Sequence, residues 1–356
     1  MILVRNHRNK RIFYSGLLGR TICLILVLLL SSCLKNSDND DLVVFTGATM
    51  GTTYSIKVSG LSDALSIKPI QLEIESLLEG INHSMSTYRT DSEISRFNRF
   101  KEVSAYSVSL PMLQVVKESL RVSTVTEGAL DITIAPLVNL WGFGADKQTE
   151  TIVDEKKIKA LKRRIGYKKI NIETDPPQIS KQHPDLTIDL SAVAKGFAVD
   201  QVGVLLENKG FKNYLVEIGG EIRTKGFKQQ QTSWVVAIER PMSGERVIQQ
   251  VLSMGNNSMA TSGDYRNYFE KNGKRFSHLI DPNTGRPIDH RLASVSVVHR
   301  SCMTADAFAT AFMITGFEKG YQLALQENLA VYFLVRTKSG FDVKITPAFE
   351  SFIIGN

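Results

Sequence analysis

The chain has 356 residues, with 43 Lys and Arg against 36 Asp and Glu and a formal net charge of +7. Arg5, Arg8, Lys10, Arg11 and Arg20 precede Cys33 with no acidic partner, so the remaining chain carries only +2, and the charge gives no support to nucleic-acid binding. Cysteine occurs only at Cys23, Cys33 and Cys302, which excludes a disulfide-built scaffold and leaves stability to a large hydrophobic core.

Residues 1–32 read as a secretory leader. A basic block is followed by an apolar run, Ile22 to Leu30, too short to span a bilayer comfortably. The run ends in "LSSC", the order of a bacterial lipobox in which Cys33 is lipidated and becomes the new N-terminus; an ordinary short anchor with a chance cysteine is the alternative. Residues 33–42, with "KNSDNDD", then form the lipidated N-terminus and a polar tether. A diacylglycerol plus an amide-linked acyl chain (a palmitate-type anchor) would hold the protein on a membrane, because stable anchoring takes more than one chain. Residues 43–350 read as one compact domain and 351–356 as a short C-terminal tail.

Within that domain, "DLVVFTGATMGTTYSIKVSG" predicts two strands around a Gly-rich turn. Ile70, Ile74, Leu77, Leu78 and Ile81 fall on one face of a helix over 69–81. "SLPMLQVVKESLRVSTVT" predicts a second helix, with Ser109 as its cap and Pro111 in its first turn. Residues 152–165 repeat the helical pattern, and "KKINIE" is a short strand. "LTIDLSAVAKGFAVDQVGVLLENKG" predicts a strand turning into a helix at Ser191, with Gly210 closing it. "NYLVEIGGEIRTKG" predicts strand, tight turn, strand, and "SWVVAIE" and "RVIQQVLSM" are further antiparallel strands. "TADAFATAFMITG" predicts a small-residue helix after Met303, another helix follows near 318–328, and "LAVYFLVRTKSGFDVKITPAF" closes as a hairpin. Many strands are adjacent in sequence, so the fold class is α+β rather than repeated βαβ.

Chemistry-bearing residues are sparse. Asp306 and Thr310 lie four apart on one helix face, where a carboxylate and a hydroxyl suit a hard cation such as Mg²⁺. On spacing alone Asp306 could equally favour a helix N-terminus, and Thr310 could bond back to the main chain. The junction "DLSAVAKG" offers carbonyls to a cation and helix N–H groups to an anion. Zinc is disfavoured, since nothing resembles HExxH or paired cysteines. Cys302, three residues after His299, could be a thiol nucleophile, but a small buried apolar role suits it better. No P-loop or GxGxxG fingerprint occurs. "GATMGTTYS" could bring backbone close to a phosphate or a flat ring, or be an ordinary hairpin turn. "PLVNLWGFG" is unusual for a loop in alternating Trp141 and Phe143 with glycines, and reads as two core anchors around flexible turns. "FSHLIDPNTGRPIDH", residues 276–290, concentrates His278, His290, Asp281 and Asp289 in one loop; Asp281, Pro282 and Gly285 have turn chemistry, and His290 reads as a loop or surface residue.

Taken together, the motifs resemble the ApbE family, the FAD:protein FMN transferases. The resemblance rests on "TMGTTYSI" (49–56), "STYRTDSEISRFN" (86–98), "GALDITIAPLVNLWGFG" (128–144), "IDLSAVAKGFAVD" (188–200), "VEIGGEIRTKG" (216–226), "ATSGDYRNYF" (260–269), "FSHLIDPNTGRPID" and "CMTADAFATA", in family order over about residues 43–350. It implies an FAD-binding cleft among antiparallel and mixed sheets with packed helices, and transfer of FMN from FAD to a threonine or serine hydroxyl of an acceptor flavoprotein, with release of AMP. FAD is then the substrate and Mg²⁺ the cofactor, at the FAD pyrophosphate.

The expected partner is a flavoprotein subunit of a membrane redox complex or a related electron-transfer protein. The resemblance also implies that Met50, Ser86, Thr87, Tyr88, Asp131 and Lys195 bind FAD. The main-chain oxygen of Ala192 and the side chains of Asp306 and Thr310 would bind Mg²⁺, and His278 would serve transfer as a base or as an FAD contact. "MS" at 85–86 and Ser191–Ala192 depart from commoner family residues without removing a charged group. Family members favour the inner membrane facing the periplasm, while Leu34 after Cys33 permits the outer membrane. An FAD pyrophosphatase giving FMN and AMP, and a non-enzymatic flavin-binding lipoprotein, are the alternatives. "TGAT" at 46–49 resembles an acceptor sequence, but no stable FMN is expected on Thr49.

Overall fold

The computed structural model describes residues 42–60, 67–144, 153–228, 231–242, 247–265, 267–271 and 274–354. The leader, Cys33 and the tether up to residue 41 lie outside the described residues. The framework is one eight-stranded sheet whose strands follow one another in chain order. They are β1 (Val43–Thr49), β2 (Thr52–Val58), β3 (Tyr214–Ile218), β4 (Glu221–Lys225), β5 (Ser258–Gly263), β6 (Leu292–His299), β7 (Ala330–Arg336) and β8 (Phe341–Ile345). Every ladder among the described residues is antiparallel. The expected α+β class is what the chain forms, with the helices inserted as excursions between neighbouring strands.

The helices are α1 (Ile67–Met85), α2 (Glu93–Arg99), α3 (Leu110–Val125), α4 (Ala135–Leu140), α5 (Glu155–Lys162), α6 (Ala194–Asn208), α7 (Cys302–Thr315) and α8 (Phe317–Gln326). Caps set several ends: Ser109 Oγ accepts from Met112 N–H, Asp154 caps α5, and Ser301 caps α7. Gly210, at φ 87°, follows the last turn of α6 as expected. The expected strand through "LTIDL" does not join a ladder. Its backbone is satisfied singly instead: Asp189 N–H donates to Ile132 O at 2.7 Å, and the Asn98 amide both donates to and accepts from Ile188. Residues 191–193 form a turn, so α6 starts at Ala194 rather than Ser191.

Both faces of the sheet are apolar. Val216, Ala260, Val297, Val331 and Phe333 face the core shared with α1, α3, α6 and α7. Their neighbours Leu215, Met259, Val298, Tyr332 and Leu334 face a second core. That second core is closed by the hairpin Val235–Glu239/Ile248–Ser253 and the 3₁₀ run Pro347–Phe352. Two-sided burial explains why "LASVSVVH" and "AVYFLVR" read as continuous rather than alternating apolar runs. The chain stays packed beyond residue 350, where Phe352 and Ile353 lie against the second core.

Candidate active site

A cavity of about 670 Å³ opens where the main sheet, α6, α7 and three loops meet. Its floor is the Gly219–Gly220 turn between β3 and β4 and the end of β5, Thr261 to Gly263. One wall carries Ala192 and Lys195 at the start of α6 and Asp306, Thr310 and Ile314 along α7. The rest of the lining comes from Ala129–Ile132, Ile134, Val138, Phe143 and Gly144, and from the segment His278 to Ile280 with Pro282. Tyr88, 71% exposed, also contributes to the lining.

The two helices of the wall approach closely because residue 196 is glycine. A Cβ there would stand 2.4 Å from Cys302 O and 2.8 Å from Met303 Cα, both backbone atoms of α7. Asp200 fixes the same junction, accepting from Ser301 Oγ, Cys302 N–H and Met303 N–H while paired with Arg223. This contact places Lys195 Nζ 3.7 Å from Asp306 Oδ2 and 3.3 Å from Glu221 Oε1. Asp306 Oδ2 also accepts the Gly196 N–H at 3.0 Å. Burial pushes the Asp306 carboxyl up, and Lys195 and the Gly196 N–H oppose that. Burial likewise pushes Glu221 up, to about 8, with Lys195 opposing and Asp306 adding to the rise. For Lys195 burial acts downward, but Asp306 and Glu221 outweigh it and hold the ammonium charged.

His278 lines the same cavity. Its Nδ1 lies 2.9 Å from the carbonyl oxygen of Asn267. A carbonyl can only accept, so Nδ1 carries the proton and Nε2 is the basic nitrogen of the neutral ring. Burial lowers the His278 pKa below its ordinary 6.5, against the upward pull of the Asn267 carbonyl and Asp264. The loop holding it is braced by aromatic rings: Trp141 stacks on Phe276, Phe276 on Phe269, and Phe269 on Phe143, whose ring meets His278 edge-on at 6.3 Å. Trp141 Nε1 donates to Gly285 O at 2.9 Å, joining "LWGFG" to the turn after His278. The core-anchor reading of "LWGFG" holds, since Trp141 and Phe143 pack against a small core, and Phe143 in addition lines the cavity. In the turn itself Asp281 Oδ1 accepts Asn283 N–H, Gly285 N–H returns to Asp281 O, and Gly285 takes φ 74°.

A model of the ApbE family matches residues 50–333. The chain belongs to the ApbE family. It is 44% identical over 335 residues to the FAD:protein FMN transferase of Vibrio cholerae, covering 93% of this chain and 98% of that one. It is 43% identical over 340 residues to the FAD:protein FMN transferase of Haemophilus influenzae, covering 94% and 97%. The solved structure of the flavin transferase ApbE from Vibrio cholerae superposes with a TM-score of 0.82 at 43% identity, over 88% of this chain and 99% of that one.

Of the residues that the ApbE resemblance singled out, the cavity gathers Tyr88, Asp131, Ala192, Lys195, His278, Asp306 and Thr310. Met50, Ser86 and Thr87 are not part of its lining. Met50 occupies the tip of the β1–β2 hairpin at φ 51°, followed by Gly51 at φ 73°. A non-glycine side chain in that left-handed position is uncommon and costs energy, which is itself a pointer to function. Ser86 is bound into the end of α1, its N–H on Asn82 O and its carbonyl accepting from Ser92 Oγ. Asp131 is more committed than expected. One oxygen accepts from Thr133 N–H and Oγ1 and the other from Tyr167 N–H, so its carboxylate shapes the loop on the cavity side. Thr49 is buried and accepts from Asn82 Nδ2, which fits a structural part for "TGAT".

His290 and Cys302, to which the resemblance assigns no role, both turn out to be packing residues. His290 lies in a loop, as expected, but is half-buried there, and its Nε2 donates to Met313 O near the end of α7, where the helix leaves carbonyls without partners. Cys302 takes the small buried role that suited it better in sequence: it is fully buried, burial drives its thiol pKa well up, and its Sγ lies near Met259 O, which sets the thiol-nucleophile alternative aside. Glu221 and the Asn267 carbonyl were not foreseen. Glu221 was visible as the acidic residue after a Gly-Gly turn, whereas a main-chain carbonyl leaves no mark in a sequence.

Proposed function

We propose that this protein transfers FMN from FAD to a threonine or serine hydroxyl of an acceptor flavoprotein and releases AMP. The observation that carries the proposal is one cavity lined both by Lys195, Asp306 and Thr310 and by the neutral, Nδ1-protonated ring of His278. The named activity of relatives that match nearly their whole length supports it.

In the reaction the acceptor oxygen attacks the flavin-side phosphorus of the FAD pyrophosphate. A new phosphoester bond forms, the bridging P–O bond breaks, and AMP departs with the bridging oxygen. His278 Nε2 takes the hydroxyl proton, and its depressed pKa keeps that nitrogen free at neutral pH. Lys195 places a fixed positive charge beside the pyrophosphate. The loops bearing Phe143 and His278, braced by the ring stack, hold FAD and the acceptor hydroxyl in line.

The donor set suits a divalent cation of the Mg²⁺ type. Among the described residues no three His, Cys, Asp or Glu side chains converge, so a cation rests on mixed oxygens and on the substrate's own phosphates, as Mg²⁺ commonly does. Asp306, Thr310 and the main-chain oxygen of Ala192 would hold it. When bound, Mg²⁺ neutralises pyrophosphate charge and polarises its oxygens.

The described residues contain no helix long and apolar enough to cross a membrane. We place the domain on the periplasmic side of a membrane through lipid on Cys33, with the inner membrane favoured and an electron-transfer flavoprotein there as the acceptor. The test is incubation with FAD, Mg²⁺ and a candidate acceptor. An FMN-sized adduct on an acceptor threonine or serine, abolished by a chelator and restored by Mg²⁺, is expected; FAD bound without turnover would contradict the proposal.

A further inference from the structure

Glu221 has no assigned part in that chemistry, yet it is as deeply buried as Asp306, at 3% against 4%. It is the first residue of β4, directly after the Gly219–Gly220 turn, and it lines the cavity floor. Its Oε1 lies 3.3 Å from Lys195 Nζ, and its buried Oε2 has no hydrogen-bond partner among the described residues. A carboxylate buried in this way is costly, and a cavity wall built only to hold FAD would not need it.

The consequence lies in how Lys195 is shared. Its ammonium stands between two carboxylates, nearer Glu221 at 3.3 Å than Asp306 at 3.7 Å. Without Glu221, the buried ammonium would have Asp306 as its one close counter-charge among the described residues and would be drawn onto it. Asp306 is held in place for a different use. The Gly196 N–H fixes Oδ2, and both contacts of its carboxylate fall on that oxygen. Glu221 pulls from the sheet side and Asp306 from the helix side, so the Lys195 ammonium is shared between them at the cavity.

We infer that Glu221 is a positioning residue that holds the Lys195 ammonium on the sheet side of the cavity and so keeps the Asp306 carboxylate open to a divalent cation. The inference rests on the proposed cation site at Asp306 and adds the device that keeps a neighbouring lysine from occupying it.

A double-mutant cycle on cation affinity tests this. The probe is Mn²⁺ in place of Mg²⁺, followed by the loss of its free-ion paramagnetic resonance signal. The full chain is kept in detergent with saturating FAD and no acceptor. The variants are Glu221→Gln, Lys195→Gln and the pair, each checked by thermal melting. Glu221→Gln should weaken Mn²⁺ binding about 10–100-fold in the native background, the range for groups that orient a metal ligand. In the Lys195→Gln background the same change should cost less than about threefold, because no ammonium remains to collapse onto Asp306. Equal losses in both backgrounds would mean that Glu221 acts only through its charge, and would overturn the inference, as would no loss in either. If Glu221→Gln does not fold, Glu221→Asp runs the same cycle with the charge kept and the reach shortened. Absence of saturable Mn²⁺ binding to the unaltered chain would remove the cation site itself and this inference with it; intact binding with an additive cycle would remove only the role of Glu221.

Discussion

At the scale of single residues, His278 and Asp306 divide the chemistry, and each can be tested apart from the other. Because burial lowers the folded-state pKa of His278 below 6.5, the folded chain prefers the neutral ring. As pH falls below 6.5 the unfolded chain binds the proton first, so this group costs stability only on the acid side and nothing above it. The rate has its own sign: base function is present above the folded pKa and is lost as pH falls through it. Single-turnover transfer should therefore show an acidic limb with its inflection below 6.5. His278→Ala should remove that inflection and slow transfer by about 10²–10⁴-fold, with a much smaller change in FAD affinity. Equal losses of rate and affinity, with the inflection intact, would make His278 a grip on FAD rather than a base. Asp306→Ala should abolish the response to Mg²⁺ and most turnover while FAD still binds to the apolar parts of the cavity. Near-normal activity of that variant at limiting Mg²⁺ would remove Asp306 from the cation site.

At the scale of elements, the closeness of α6 and α7 is the feature on which the site depends. Gly196→Ala would drive a methyl group into the backbone of Cys302 and Met303. The helices must separate, at a cost of about 1–3 kcal/mol, and Lys195 and Asp306 move apart with them. A lowered melting temperature together with weakened cation binding is the expected pair of results. Gly80→Ala is the matched control, since it lies in α1 with nothing within 4 Å of the new Cβ, and it should be neutral or stabilising. An unchanged melting temperature for Gly196→Ala would contradict the packing account.

The elements that were legible in sequence are those with local signals. The β1–β2 hairpin announced itself through "TMGT", α3 through Ser109 and Pro111, and the end of α6 through Gly210. Less was visible where tertiary contacts decide. "LTIDL" has strand composition, but Asn98 and Ile132 satisfy its backbone from outside any ladder. The helices α2 and α4 are only seven and six residues long, too short for periodicity to mark them.

At the scale of the whole molecule, the α+β class followed from runs of adjacent strands, but the chain-order sheet with apolar residues on both faces did not. Its second face is covered by segments far apart in sequence, such as Trp234 and Phe349, and no local pattern pairs them. The site shows the same division. Asp306 and Thr310 are a turn apart on one helix and could be paired by spacing, whereas Lys195, Glu221 and His278 meet only through the fold. The anchor is a property of the whole chain too: all the residues proposed for catalysis lie beyond the tether, so Cys33→Ser should release the protein from membranes and leave transfer in vitro unchanged. Retention on membranes after a high-salt wash would point to a second anchor.

The claim that the cavity delivers FMN to a protein hydroxyl rather than to water is tested most directly by stoichiometry under limiting FAD, with Mg²⁺ and excess acceptor. One AMP released for each FMN bound covalently to the acceptor, with no free FMN, is the predicted result. AMP matched by free FMN, with the acceptor unmodified, would contradict it.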